Sequence, residues 1–172
     1  MSNAISVSDA ARLLRARGLA MQQAVPVGVG AMAAILGLDF ATVQSLASEA
    51  QAKGVCQAAN DNGPSQVVIS GEKTAVEVAI ELAKNSGAKR AIMLPVSAPF
   101  HCELMAPAAE KMKMELETTR IEQPIVPIVS NVSARAVSDP AEIKELLVSQ
   151  VTGSVRWRES ILWMAKNNVD EI

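Results

Sequence analysis

The apolar positions of the chain change period several times, and each change predicts an element. Over residues 8–23 they recur at helical spacing, with Leu13, Leu14, Ala20 and Met21 on one side, Ser8 or Asp9 as the cap and Val25-Pro26 as the stop. Gly30-Ala31-Met32-Ala33-Ala34-Ile35-Leu36-Gly37-Leu38 is a continuous apolar run between glycines, the signature of a buried strand. Asp39 then caps a helix to about residue 52, closed by Lys53-Gly54. Residues 55–60 and 66–71 predict two strands joined by a turn at Asp61-Asn62-Gly63-Pro64-Ser65. Residues 72–85 form a helix with the stripe Ala75, Val76, Ala79, Ile80, Leu82 and Ala83, ended by Gly87, and residues 89–96 follow as a strand. The order from 30 to 96 is β-α-β-β-α-β, the ferredoxin-like arrangement.

Beyond it the pattern predicts a helix over 103–118 and a proline-bounded strand over 124–131. A further helix opens at Asp139-Pro140, with proline in the first turn where its missing amide is harmless, and ends near Gln150 to Gly153. A last helix spans about 155–166, with Trp157, Ile161 and Met164 at helical spacing, and Asp170-Glu171-Ile172 reads as the start of a strand. Met1-Ser2-Asn3-Ala4 looks like a cloning remnant, so the natural sequence is expected to begin near Ile5, with both ends cut from a larger fold.

Length and composition narrow the class. A chain of 172 residues suits one ordinary domain or two small lobes. Nearly half of it is apolar but only 2% is aromatic, so the core must be built from Ala, Val, Ile, Leu and Met. No run approaches the ~20 apolar residues of a spanning helix, and no basic-then-apolar leader opens the chain, which argues against a membrane protein. The cysteines, Cys56 and Cys102, form neither a disulfide framework nor a metal-ligand spacing; a reducing cytoplasm is the expected compartment, and no metal is expected. Net charge is −2 with dispersed basic residues, which argues against nucleic acid.

Candidate chemistry centres on His101, the single imidazole of the chain and its one candidate for general-base work near neutral pH. It follows the apolar run Ala91 to Val96 in a short Pro-containing loop, although a lone loop histidine also fits a purely structural role. Cys102 adjoins it, but neighbours on an extended loop point apart, and no Gly-x-Ser-x-Gly elbow occurs. The residues supply a base without an evident nucleophile. Gly28-Val29-Gly30-Ala31-Met32-Ala33 matches a loose dinucleotide fingerprint but has no strand before it. Asn60-Asp61-Asn62-Gly63 lacks the remaining ligands of a calcium loop and reads as a hairpin turn. Met105, Met112 and Met114 read as packing material. Arg12, Arg15 and Arg17 form a solvated helix face, or one of them binds a carboxylate bidentately; spacing alone does not choose.

Three stretches together resemble the malonyl-CoA:acyl carrier protein transacylases, acyltransferases of fatty-acid synthesis. They are Arg15-Ala16-Arg17-Gly18-Leu19-Ala20-Met21-Gln22 with Val25-Pro26-x-Gly28-x-Gly30-Ala31-Met32-Ala33-Ala34; Asn60-x-Asn62-x-Pro64-x-Gln66-Val67-Val68-Ile69-Ser70-Gly71; and Pro95-Val96-Ser97-x-Pro99-Phe100-His101-Cys102-x-Leu104-Met105. The resemblance implies an α/β fold: a ferredoxin-like subdomain over 25–96, set into an α/β-hydrolase-like acyltransferase domain, to which 5–24 and 97–172 belong incompletely. It implies ping-pong transfer of malonyl from malonyl-CoA to acyl carrier protein through an acyl-serine. It gives His101 the role of general base, Gln150 that of orienting the histidine through its main-chain carbonyl, and Arg17 that of pairing with the malonyl carboxylate. Asn60 and Asn62 would line the acyl and CoA side of the cleft, and Phe100 resembles the malonyl-selecting form of the loop. No cofactor is implied, since malonyl-CoA and the carrier's phosphopantetheine are substrates.

The departures are large. The resemblance places a Gly-His-Ser-x-Gly elbow just upstream of the first helix, and the chain has none. The Gln-Gly-rich segment that helps form the oxyanion hole and the Gly-Pro-Gly or Gly-Ala-Gly stretch expected after Ile172 are missing too, and Gly153-Ser154 stands where the family often has Asn-Pro. The chain alone is therefore expected to be inactive. The competing readings are an acyltransferase piece of a polyketide synthase and a non-catalytic module that binds acyl-CoA or acyl carrier protein. The oligomeric state of the parent stays open. For the chain itself, helices that have lost part of the sheet they cover should expose apolar patches and favour association. Light scattering is expected to show oligomers or poor solubility, and a compact, monodisperse monomer would overturn that expectation.

Overall fold

The computed structural model describes residues 3–96 and 98–169. Helix α1 (Val7–Gln23) is capped by Ser6, whose hydroxyl accepts from the Asp9 amide, rather than by the expected Ser8 or Asp9. Strand β1 (Gly30–Leu36), helix α2 (Phe40–Ala50), strands β2 (Cys56–Gly63) and β3 (Gln66–Glu72), helix α3 (Lys73–Asn85) and strand β4 (Arg90–Met93) then follow in the expected sequence. The strands form one antiparallel sheet in the order β2-β3-β1-β4, the ferredoxin-like order.

Side chains alternate across a strand, so β1 serves two interiors. Ala31, Ala33 and Ile35 face α2 and α3 and pack with Val43, Ala47, Val67, Ile69, Val76 and Ala79. The small residues at these positions let the helices lie close to the sheet. Met32 points the other way and joins Ala59 and Val68, with Leu94 and Phe100 packed against them.

A second layer packs α4 (Ala106–Glu117) against both α1 and α5 (Pro140–Thr152). Leu13, Met21, Val25, Met105, Ala108, Met112, Leu116 and Val151 form its core. Arg12 crosses from α1 to Glu115 at 2.7 Å and to the Thr119 hydroxyl at 2.8 Å, so from an exposed position it ties α1 to the α4 segment. Strands β5 (Ile128–Ser130) and β6 (Arg135–Val137) make a small hairpin, and α6 (Trp157–Lys166) packs on β2. Between α5 and α6, Val155 donates to the Ala59 carbonyl at 2.8 Å and accepts from the Asp61 amide at 2.9 Å.

Several expectations need correction. Asn60-Asp61-Asn62-Gly63 is strand, not turn: β2 runs through Gly63, with register shifts at Ala58/Asn60 and Asp61/Gly63 that absorb the extra residues. Only Pro64 and Ser65 remain for the turn. The strand expected over 124–131 shrinks to β5 because Pro124 and Pro127 offer no amide donor, which leaves Ile125 and Val126 exposed. Strand β6 carries no apolar run and went unread. The helix expected from Glu103 begins as a single 3-10 turn before α4. Leu14 and Met114 point to solvent rather than into the stripes assigned to them. The strand expected at 170–172 lies outside the described residues.

Ile35 is fully buried at the centre of the helix-covered face. Ile35→Ala should lower unfolding stability by about 2–5 kcal/mol, read as a lower denaturation midpoint at unchanged slope in urea. A loss below about 1 kcal/mol would mean that this face is not the packed core described.

Candidate functional site

His101 sits in the turn between β4 and α4, and the turn is built tightly. Pro99 lies so close to Gly30 that a β-carbon there would come within 2.3 Å of the proline ring, so only glycine at the start of β1 admits this loop. His101 itself has φ of 58°, the left-handed region that a residue with a β-carbon enters only when its surroundings enforce it. The turn is held from both sides. Gln57 Oε1 on β2 accepts from the Glu103 amide at 2.7 Å, and Cys102 Sγ donates to the Pro99 carbonyl at 3.1 Å.

The ring is fixed by main chain. His101 Nδ1 lies 2.9 Å from the carbonyl oxygen of Gln150 in the last turn of α5. A carbonyl only accepts, so Nδ1 carries the proton and Nε2 keeps its lone pair. Gln150 also braces its own loop, since its side-chain amide donates to the Gly153 carbonyl at 3.0 Å. Gly153 is confined in turn: a β-carbon would meet Val132 at 2.6 Å and the Ser149 carbonyl at 2.7 Å.

Burial pushes the imidazole below its ordinary value near 6.5, and the positive charge of Arg17 acts the same way; the Gln150 and Gly153 carbonyls oppose them. The ring is therefore a neutral base at physiological pH. Arg17, on α1, is half-buried, and desolvation lowers its own pKa. Among the described residues it makes no ion pair, unlike Arg12. That contrast separates the two arginines as the sequence could not.

Phe100 packs against both the Met32 patch of the sheet and the α1/α4 core, so it spans the junction between the layers. The first register shift in β2 puts Asn60 opposite Val68, on the sheet face that carries Met32, while Asn62 falls at the second shift. The structure thus joins His101 to Gln150 directly, brings the Arg17 charge within reach of the ring, and sets Phe100 and Asn60 along one face. A cavity of about 390 Å³ borders His101 but is lined mainly by Gln44, Ser48, Gln51, Gln57, Thr152 and Gly153; Arg17, Asn60, Asn62 and Phe100 do not border it. Gln57 carries no signal in the sequence because it acts through Glu103, remote along the chain.

Neither cysteine offers the absent nucleophile. Burial pushes Cys56 up to about 12, with Cys102 adding to the effect, and burial raises Cys102 as well. Among the described residues no group of three potential metal ligands occurs, and no helix is long and apolar enough to cross a membrane.

The fold is a mixed α/β one, with the histidine turn at the junction of its two layers. The profile of the acyl transferase domain family matches residues 1–170, and the chain belongs to that family. It is 50% identical over 161 residues to the malonyl CoA-acyl carrier protein transacylase of Bacillus subtilis strain 168, covering 93% of this chain and 51% of that protein. It is 45% identical over 168 residues to the enzyme of that name in Escherichia coli K12, covering 98% of this chain and 54% of the relative. Among solved structures, the acyl-carrier-protein-S-malonyltransferase of Bartonella henselae superposes with a TM-score of 0.95 at 55% identity, over 98% of this chain and 54% of that one. A malonyl-transacylase solved with its type II PKS acyl-carrier protein gives a TM-score of 0.95 at 40% identity, over 98% and 54%. The chain spans about half the length of the curated relatives it matches.

The depressed histidine has a consequence for stability. In acid the unfolded chain takes up a proton near its ordinary value while the folded chain resists, so the unfolded state binds more protons between the two values. Stability should therefore fall as pH drops from about 6.5 toward the lower folded value, and His101→Gln should remove that part of the dependence. Urea midpoints for the two proteins across that window test this; parallel profiles would show that the ring is not held neutral by burial.

Proposed function

We propose that this chain is part of an enzyme that moves malonyl from malonyl-CoA to the phosphopantetheine thiol of an acyl carrier protein. The observation that carries the proposal is the Nδ1 contact with the Gln150 carbonyl, which leaves Nε2 of His101 as the free base. In the proposed sequence a serine hydroxyl attacks the malonyl thioester carbon as Nε2 takes its proton. The carbon–sulfur bond then breaks, and the leaving CoA thiolate receives that proton from the imidazolium. The carrier thiol reverses the steps: Nε2 deprotonates it, its sulfur attacks the acyl-serine, and the serine oxygen leaves with the proton. Arg17 holds the free malonyl carboxylate through its guanidinium fork, Asn60 and Asn62 line the acyl and CoA side of the cleft, and Phe100 gives the loop its malonyl-selecting form.

The chain has no Gly-x-Ser-x-Gly elbow, so in this reading the serine belongs to the parent enzyme and the chain alone does not turn over. Residues 25–96 are then the small subdomain, and 5–24 with 97–172 an incomplete share of the large one. The enzyme needs no metal or cofactor and acts in the cytoplasm, where its thioester substrates are made. The resemblance to transacylases over nearly the whole chain supports this reading.

Calorimetric titration is expected to show malonyl-CoA binding more tightly than acetyl-CoA, which differs by the carboxylate. Arg17→Ala should erase that preference, a loss of about tenfold or more for a charge-assisted bidentate contact. Equal affinities for the two ligands before substitution would sink the carboxylate clamp.

A further inference from the structure

Asp61 is wholly buried, and its partner comes from across the junction. Its two carboxylate oxygens accept from Arg158 Nε at 3.1 and 3.0 Å, and Arg158 Nη2 lies 2.8 Å from Oδ2. A buried carboxylate is costly unless its partner is fixed, and the planar fork of arginine fixes it in one orientation. An apolar side chain here would fill the space without that cost. The pair therefore specifies position more than it adds stability.

Its place in the chain indicates what is positioned. Asp61 lies in β2 between the two register shifts, with Asn60 and Asn62 on either side. Its amide donates to the Val155 carbonyl, and the Val155 amide donates to the Ala59 carbonyl. From Val155 the chain runs back through Gly153, whose carbonyl the Gln150 side chain holds, to the Gln150 carbonyl on the histidine ring. From Val155 forward it reaches Arg158 in the first turn of α6. Backbone bonds at the middle of segment 150–158 and an ion pair at its far end thus fasten it to the strand that carries Asn60 and Asn62.

We propose that Asp61 and Arg158 form a positioning pair that locks β2 to segment 150–158, keeping the Gln150 carbonyl on His101 Nδ1 and so reserving Nε2 as the base. Neither residue touches the reacting atoms; both act through Gln150 and the β2 register. The proposal rests on the reading of His101 as general base.

The single histidine makes the test direct, because one imidazole signal reports the site. His101 labelled with carbon-13 and nitrogen-15 is titrated by NMR in the unsubstituted chain, in Asp61→Asn and in Arg158→Lys. Loosening the segment exposes the ring and relieves the desolvation that dominates its shift, so the midpoint should rise toward the ordinary value in both variants. The rise should be larger for Asp61→Asn, and the Nδ1 signal should lose the signature of a donor to carbonyl. If Asp61→Asn fails to fold by circular dichroism, Arg158→Lys decides alone, since it keeps the charge and alters only the partly exposed partner. A folded variant with lower melting temperature but an unmoved midpoint and Nδ1 signal overturns the proposal, because the pair would then be structural only. Binding of malonyl-CoA against acetyl-CoA to the unsubstituted chain decides the transfer reading separately, so either idea can fail without the other.

Discussion

A carbonyl oxygen has no proton to give, and that constraint governs the centre of this molecule. Once the Gln150 carbonyl meets Nδ1 of His101, the tautomer is settled without any carboxylate, and the ring cannot rotate without breaking a part-buried hydrogen bond. An acidic partner would stabilise the imidazolium and raise the pKa further than a neutral dipole does. Burial outweighs the Gln150 carbonyl, the Arg17 charge adds a smaller push in the same direction as burial, and the ring stays neutral. The cost falls on the backbone. His101 adopts a left-handed conformation, and each loop at the ring needs a glycine: Gly30 to admit Pro99, and Gly153 to fit beside Val132 and the Ser149 carbonyl.

Those loops meet because two cores meet. The sheet's helix-covered face is filled by alanine and β-branched residues that order the small lobe, while methionines and leucines join α1, α4 and α5. Phe100 touches both the outer face of the sheet and the helical core. In a chain with almost no aromatic residues, one phenyl ring beside the histidine couples the sheet to the helices, so a shift between the layers moves the turn that holds the base.

Much of this was legible in the sequence where local physics decides. The apolar stripe of α3 and the Asp39 cap of α2 declare themselves within one element, and the strand order follows from the β-α-β-β-α-β succession. The turn-like composition of Asn60 to Gly63 misled, because bulges and the far Val155 segment satisfy that backbone in an extended form. Hairpin β5-β6 was half read, since the prolines that bound the apolar run also stop it from pairing. At the site, His101, Arg17 and Gln150 entered through motifs in the sequence. Gln57 and Asp61 did not, because each matters through a partner tens of residues away, and no local signal marks Asp61 and Arg158 as a pair.

The arrangement of Arg17 carries a further implication for the order of events in the proposed reaction. A half-buried guanidinium without an ion-pair partner among the described residues, beside a ring held neutral, is an electrostatic arrangement that lacks a negative charge. A carboxylate placed against Arg17 would satisfy the guanidinium and cancel its repulsion of a proton on His101. The imidazole would then be a somewhat better base with a carboxylate-bearing acyl group bound than with none, because the Arg17 repulsion, a smaller influence than burial, is removed by the ligand. Arg17 would thus couple recognition of the acyl group to the readiness of Nε2. A lysine could supply the charge, but not the planar fork that keeps a carboxylate in one orientation beside the ring.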